Sequence, residues 1–471
     1  MISSCHLARC RRFVSVMAVL LGACGCADDV PSVAPCPADA SASADGVAAD
    51  GGGGDAQADA GATKPPSATE RLFDPKAPLR TFHLTVADKD WQWLQKHAVE
   101  ETYVPATVAS AGETSTAGAV RYKGAFGSLV SCFDKDGNQT CKKLSLKVSF
   151  NESDKKGRMF GVRKLILNSC NRDPSCLRER LGYTLFADAG LVAPRAVHVL
   201  VRINGGPPSV YLLVEAIDKE FLEDHFDDEG GNLYKEAWPA GENVQGWKNA
   251  LKTNESKADV SRMLAFSKAA SNATSETFNA AVAPWIDRDV MMRYFVVDQL
   301  TNNWDGIWKF YCPNKDSCRN HNFYVYDDPT SGKFVVLPWD LDHTFTQPNA
   351  DMARSWWDDG PTACDLQNPN GFIAIRAPQC DPLLAGLMRQ GWAAYVAQLD
   401  TWTADGALLS APRLHQRLEQ WRAQLQEPIK ADPKGPGLVM WLSATSQLRQ
   451  ILTVQVAEAR ALLTWKLPTP P

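Results

Sequence analysis

This 471-residue chain lacks most of the marks by which a sequence declares its class. It has no surplus of basic residues: 49 Lys and Arg face 54 Asp and Glu, a net charge of -5, which excludes an electrostatic nucleic-acid binder. It has no apolar run long enough to cross a bilayer as a helix, since Phe13 to Leu21 is far short of the roughly 20 residues required. It has no CxxC pair and no histidine cluster to complete a tetrahedral zinc set. It has no GxGxxG loop, no His-Arg-Asp triplet, no internal repeat and no βαβ series of the dinucleotide-binding kind.

What is present begins with a leader. Arg9, Arg11 and Arg12 precede the short apolar run, and Leu21-Gly22-Ala23-Cys24 reads as a lipoprotein cleavage box, with Cys24 as the acylated residue. Cys26 is the alternative, with Ala23 then standing where leucine is preferred. Residues 1–23 are thus expected to be a signal peptide. Residues 24–70 are dominated by Ala, Asp, Gly and Ser, with too little apolar surface to offset the entropy of ordering, and read as a flexible tether reaching about 35–40 Å. The expected location is the cell envelope, outside the cytoplasm, on the outer membrane or cell surface.

Thirteen cysteines agree with export. Eight of them fall into close pairs, Cys132/Cys141, Cys170/Cys176, Cys312/Cys318 and Cys364/Cys380, and an even count at short spacing in an exported chain points to local disulfides. Loops this short are expected to staple surface excursions more than the core.

With 45% apolar residues, the rest can bury a sizeable core. Arg80 to Val86 alternates as a strand. Asp88 is placed as the N-cap of a helix through His97, and Val104 to Tyr122 reads as a hairpin turning at Gly112-Glu113. Lys143 to Phe150 alternates strictly, putting Leu144, Leu146, Val148 and Phe150 inward and Lys143 and Lys147 together on the other face. A helix from Leu177 to Ala189 follows the start signal Asp173-Pro174 and stops at Gly190. A hairpin turns at Asn204-Gly205-Gly206, a helix covers Lys219 to Phe226, and residues 247–300 are mainly helical. Another hairpin surrounds Pro329 to Gly332, and residues 382–467 are helical with a break at Pro428 to Pro436. The class is α+β.

Two segments carry chemistry. Asn302-Asn303-Trp304-Asp305-Gly306 and Pro338-Trp339-Asp340-Leu341-Asp342 place carboxylates beside bulky aromatics, the second directly after a strand. For an isolated Asp, helix capping is the commoner role. Asp340 and Asp342, one residue apart in an extended stretch, would face one side, as a single divalent-cation site requires. Asp134-Lys135-Asp136-Gly137-Asn138 begins like a calcium loop but lacks its later ligands, so a disulfide-closed turn is the simpler reading. Trp356, Trp357, Asp358 and Asp359 either line a groove or merely pack.

At this point the chain resembles the CotH (spore coat protein H) kinase family. The matching pieces run in order over about residues 80–350: Arg121-Tyr122-Lys123-Gly124, Lys142 to Phe150, Leu165 to Ser169, Asp173 with Leu177-Arg178-Glu179, and Ala193-Pro194-Arg195. They continue with Val201 to Asn204, Tyr211 to Asp218, Asn303-Trp304-Asp305, Asn322-Phe323-Tyr324 and Pro338 to Asp342. The resemblance implies an atypical protein-kinase-like, two-lobed fold over residues 71–350, with residues 351–471 as a helical extension of the second lobe. It also implies ATP with Mg2+ or Mn2+ as cofactors and an exported protein as phosphoacceptor. Asp340 then looks like the metal-binding aspartate, Asn322 like the second metal position, Asp342 like its support, and Asp305 like the residue that orients the acceptor hydroxyl. Phosphoryl transfer needs positive charge at the γ-phosphate. Lys147 is the first choice for it, Lys143 and Lys123 compete, and Glu179 is the expected ion-pair partner, with Arg178 its rival. Glu215 to Ile217 would be the hinge that meets adenine. Asp305 and Asn322 stand 17 residues apart, against about five in ordinary kinases, and Cys312 to Cys318 reads as an insertion over the cleft. The alternatives are a surface scaffold or adhesion protein that keeps the fold without catalysis, and a glycosyltransferase that uses Asp340 and Asp342 as a metal-binding DxD.

Overall fold

A computed structural model describes residues 65–125, 128–314, 318–346, 364–366 and 374–466. Cys24, the leader, most of the tether and Trp356 to Asp359 lie outside the described residues. Ala68–Phe133 and Gln139 onward form one compact unit, which leaves out the Asp134–Asn138 turn. Within that turn, Asp134 accepts from the Asp136 and Asn138 backbone N–H groups and the Asn138 amide, which is how an Asx turn is built.

The α+β class holds. A short helix, α1 (Ala68–Leu72), leads into strand β1 (Arg80–Thr85) and helix α2 (Asp88–Lys96). Asp88 is the first helical residue of α2 and not its cap; the cap position is Ala87, which has no side chain to bind the first N–H groups. Then come β2 (Val104–Ser110), β3 (Thr116–Tyr122), β4 (Leu146–Ser149), β5 (Lys164–Asn168), helix α3 (Arg178–Asp188), β6 (Ala196–Ile203) and β7 (Ser209–Val214). The strands form a closed barrel in the order β1-β2-β3-β4-β5-β7-β6. Antiparallel hairpins make most of it, and the parallel pairing of β1 with β6 closes it.

Alternation sorts the barrel residues. Val104, Ala106, Val108, Leu146, Val148, Leu165, Leu167, Tyr211 and Leu213 fill the interior. Ile166, Val210, Leu212 and Val214 point outward into a second core built by the helices. β7 is therefore buried along its whole length. The expected strand over Lys143 to Phe150 is shorter than its alternating pattern, and its two lysines part company. Lys147 stays on the outer face of β4, while Lys143 precedes the strand and is buried.

After the barrel come α4 (Lys219–His225), β8 (Asn232–Lys235), α5 (Val244–Ala250), α6 (Ser261–Asn272), α7 (Phe278–Val282), α8 (Arg288–Leu300), β9 (Phe310–Cys312), β10 (Phe323–Asp328) and β11 (Lys333–Pro338). β8, β10 and β11 form a three-stranded antiparallel sheet that carries Asn322 and Asp340 at adjacent strand ends. β12 (Ala374–Arg376) pairs with β9, and α9 (Pro382–Thr403), α10 (Ala411–Ala431) and α11 (Leu438–Ala461) complete the helical core. Pro428 lies inside α10, and the chain breaks after it, at Asp432 to Gly437. Trp441 of α11 is fully buried and donates its indole N–H to the Ser175 carbonyl, which ties the C-terminal helices to the start of α3. Among the described residues no helix is long and apolar enough to cross a membrane.

All four expected disulfides are formed: Cys132 with Cys141, Cys170 with Cys176, Cys312 with Cys318, and Cys364 with Cys380. Three of them reach into the core at one end. Cys132, Cys176 and Cys312 are buried, while their partners Cys141, Cys170 and Cys318 are only half-buried. Each of these three bridges therefore pins a short excursion to a cysteine that packs as a small apolar side chain. Cys170–Cys176 closes the turn holding Asp173 just before α3. Cys364 is exposed and Cys380 half-buried, so the bridge ahead of α9 has no buried end.

Candidate active site

The site forms where α3, the ends of β3 to β5 and the loops after α8 and β11 meet. On the barrel side, Asn168 is the last residue of β5 and shares its outward face with Ile166. Its amide nitrogen donates to both carboxylate oxygens of Glu179, at 2.9 and 2.8 Å, and its amide oxygen accepts from Lys123 Nζ at 2.7 Å. Glu179 and Lys123 are thus joined through Asn168. Glu179 sits in the first turn of α3, whose start is capped by Asp173 accepting the Arg178 N–H at 2.8 Å. Burial, then the nearby Asp340 charge, pushes the Glu179 carboxyl up to about 7, against the pull of Lys123 and Asn168.

On the opposite side, β10 pairs with β11 so that Phe323 faces Pro338, which brings Asn322 beside Trp339 and Asp340. Asn322 and Asp340 both adopt the left-handed backbone conformation, at φ 60° and 55°. The Trp339 N–H donates to the Asn322 carbonyl at 3.1 Å, and the Asp340 N–H donates to the Tyr183 hydroxyl at 3.0 Å. Asn322 Nδ2 reaches across to Asp305, donating to its Oδ2 at 2.9 Å and its carbonyl at 3.1 Å. The Tyr311 hydroxyl donates to the other Asp305 oxygen. The Asp305 loop is braced by Asn303, whose amide donates at 2.7 Å to Asp298 near the end of α8. Burial raises the Asp305 carboxyl, and Asp340 adds to it. Asp342 is raised well above the carboxylate range by burial, then by Asp340 and Glu179.

Asp305, Asn322, Asp340, Asp342 and Glu179 are therefore brought together, although they are spread over 164 positions of the chain. Carboxylates that raise one another's affinity for protons are a donor set that a cation would relieve, which fits the divalent metal the resemblance implies. Among the described residues no three His, Cys, Asp or Glu groups form a metal cage by themselves. A nucleotide-borne magnesium asks for less, one or two carboxylates with substrate phosphates supplying the remainder.

The other candidates are placed unequally. Lys147 lies on the outer face of β4, has no hydrogen bond or ion pair among the described residues, and is lowered to about 8 by burial, then by Lys164, Arg121 and Lys123. Lys143 does not join the site; it pairs with Asp432 at 2.9 Å in the interior and donates to the Val210 carbonyl. Arg178 is drawn to Asp173, at 3.6 Å. The Glu215 side chain is held by Arg195 and His225, and the Ile217 side chain is buried in a small core with Phe221, Tyr324 and Leu337. Among the described residues the main chain at Ala216–Ile217 makes no backbone hydrogen bond. Two residues of the Lys123 to Ser128 loop lie outside the described residues; Gly124, at φ 141°, makes its turn.

Sequence reasoning gave no role to Asn168, Tyr183 or Tyr311. Asn168 gave little signal, since it shares its strand face with Lys164 as well as Ile166. Tyr183 and Tyr311 had none, since their partners are remote in sequence or unusual for their type.

The chain is 26% identical over 280 residues to the inner spore coat protein H of Bacillus subtilis (strain 168), covering 57% of this chain and 69% of that protein. It is 27% identical over 210 residues to invasin CotH7 of Rhizopus delemar, covering 43% of this chain and 34% of that one. The crystal structure of the Helicobacter pylori proinflammatory kinase CtkA aligns over 75% of this chain and 91% of that one, at 9% identity and a TM-score of 0.22, too low to carry an argument about fold. The family model described as CotH kinase protein matches residues 120–454, taking in the site and the C-terminal helices together, and the chain belongs to that family.

Proposed function

We propose that this chain is an extracytoplasmic protein kinase that transfers the γ-phosphoryl group of ATP to a serine or threonine hydroxyl of an exported or surface protein. In this reading the barrel and the helical part act as the two lobes of an atypical kinase. The observation that carries it is the convergence of Asp305, Asn322 and Asp340 opposite the Lys123–Asn168–Glu179 chain. Asp340 and Asn322 would hold the Mg2+ or Mn2+ ion, with Asp342 behind them. The ion, when bound, neutralises charge on the phosphate oxygens. Lys123, held by Asn168, places a further positive charge there, and Lys147 supplies a second one from the neighbouring strand. Asp305 orients the acceptor hydroxyl and takes its proton, and the main chain at Ala216–Ile217 meets adenine. Asp340 and Asp342 could also serve a glycosyltransferase; the family membership speaks for the kinase.

The test is incubation of the purified protein with labelled ATP and manganese or magnesium, beside Asp340→Ala. Incorporated label that disappears in the variant supports the reading. Absence of nucleotide binding by the unaltered protein overturns it and leaves the surface scaffold.

The four disulfides and the leader support a place outside the cytoplasm, anchored to a membrane through Cys24. Cys24→Ser should then release the protein into the aqueous fraction; unchanged partitioning would refute the anchor.

A further inference from the structure

Tyr311 lies in β9 between the buried Phe310 and Cys312, so alternation turns its side chain the other way, toward the Asp305 loop. Its hydroxyl donates to Asp305 Oδ1. The other oxygen of that carboxylate accepts from Asn322, the candidate for the second metal position, at 2.9 Å. A phenolic hydroxyl therefore stands on the carboxylate that would orient an acceptor hydroxyl, across it from a candidate metal ligand. The remaining hydroxyls of these loops are engaged differently. Tyr183 accepts the Asp340 N–H, Thr344 donates to the Leu341 carbonyl, and Thr346 accepts from the Trp304 indole.

The hydroxyl is held in place by a fixed main chain. The Tyr311 N–H donates to the Arg319 carbonyl at 2.9 Å, and the Arg319 N–H donates back at 3.0 Å. On its other edge β9 pairs with β12, with Tyr311 opposite Ile375. The Cys312–Cys318 bridge closes the excursion from the next residue. The ring packs against that of His321, at 5.2 Å. Burial, then the Asp305 charge, pushes the phenol up, so it keeps its proton and donates it. A hydroxyl fixed in this way has the advantage of an intramolecular reactant over an acceptor that must diffuse in.

We propose that Tyr311 is a phosphoacceptor of this chain, modified by its own active site within the same molecule. The inference rests on the kinase reading and adds to it a residue that the chain phosphorylates in itself, apart from any exported acceptor. The Tyr311 oxygen forms a bond to the γ-phosphorus of ATP, the bond from that phosphorus to the β,γ-bridging oxygen breaks, and the phenolic proton passes to Asp305 Oδ1. ADP leaves with the bridging oxygen, and Asp305 gives its proton to water.

The test uses the whole protein, treated first with a tyrosine phosphatase that is then removed. It is incubated with ATP and manganese, beside Asp340→Ala, with dephosphorylated casein as an external acceptor. Mass spectrometry of the digests locates the phosphate. Phosphotyrosine should appear at Tyr311 of the unaltered protein and fall by about tenfold or more in Asp340→Ala. Its rate constant should stay within about twofold across a roughly tenfold range of protein concentration, as transfer within one molecule requires. Phosphate on casein or elsewhere on the chain, with Tyr311 unmodified, overturns the inference while the kinase reading stands. Phosphate on Tyr311 that persists in Asp340→Ala, or whose rate constant rises in proportion to protein concentration, also overturns it. No phosphate on either the chain or casein sinks the kinase reading and the inference with it.

Discussion

Gly182, in the second turn of α3, lies so close to Leu341 that a β-carbon added to it would stand 2.8 Å from Leu341 Cδ1 and 3.2 Å from its Cβ. Leu341 follows Asp340, and Gly182 is three residues after Glu179. The missing side chain therefore lets the helix that carries the buried glutamate approach the loop that carries the candidate metal ligand. Gly182→Ala should force the two apart. Overpacking of this kind costs about 1–3 kcal/mol, and an ångström of displacement at a reacting centre can lower turnover about a hundredfold. A loss of phosphate transfer far exceeding the loss of stability in urea would confirm the spacing role; proportionate losses would refute it.

The bridge at Asn168 makes a separate claim. If Lys123 and Glu179 act through Asn168, then Asn168→Ala and Lys123→Met should each raise the KM for ATP, and the double variant should be little worse than either alone. Asn168→Ala also leaves Glu179 buried without its amide donor, a cost of about 1–3 kcal/mol. Lys147→Met, which breaks no hydrogen bond among the described residues, should add independently to both. Fully additive effects of Asn168→Ala and Lys123→Met, measured as KM in a double-mutant cycle, would dissolve the bridge.

These relationships show what was legible in the sequence. Alternation placed Leu144, Leu146, Val148 and Phe150 inside correctly, because a strand's period depends only on local geometry. The turns at Asn204-Gly205 and Gly190 were equally local, each needing a positive φ. The pairing of the eight cysteines followed from close spacing, but the burial of Cys132, Cys176 and Cys312 did not, since it depends on which remote side chains cover them. The parallel closure of β1 on β6 was not legible, since its partners are over a hundred residues apart and parallel pairing leaves no turn signal. Lys143 was misplaced for a similar reason: its partner Asp432 arrives from the break after α10, almost three hundred residues later. The carboxylates of the site were visible as Asp305, Asp340 and Asp342, but the groups that hold them, Tyr183, Tyr311 and Asn168, are set by tertiary contact.

Lys143 and Asp432 form an almost wholly buried pair, and Asp432 also accepts the Val210 N–H at 3.0 Å. Removing one charge strands the other. Lys143→Met should destabilise the protein by about 3–5 kcal/mol, whereas Lys143→Met with Asp432→Asn should recover much of that. Neither should change the KM for ATP where the protein remains folded. A raised KM for ATP in Lys143→Met, with stability preserved, would return Lys143 to the nucleotide site.

Asp298 offers a pH test of the catalytic-loop brace. Burial pushes its carboxyl up from 3.8 to about 7, while Asn303 and Trp308 pull it down. A folded-state value above the unfolded one means that the native protein binds the extra proton between these limits. The stability this group supplies is then complete below about pH 4 and is lost as pH rises toward 7, by about 1.4 kcal/mol per pH unit. Asp298→Asn keeps an oxygen acceptor for the Asn303 amide and removes the titration. The variant should match the unaltered protein in urea at pH 4 and exceed it at pH 8 by up to roughly 4 kcal/mol. Equal stability differences at both pH values would show that Asp298 does not titrate as a buried acid, and would remove it as the neutral-capable anchor of the Asp305 loop.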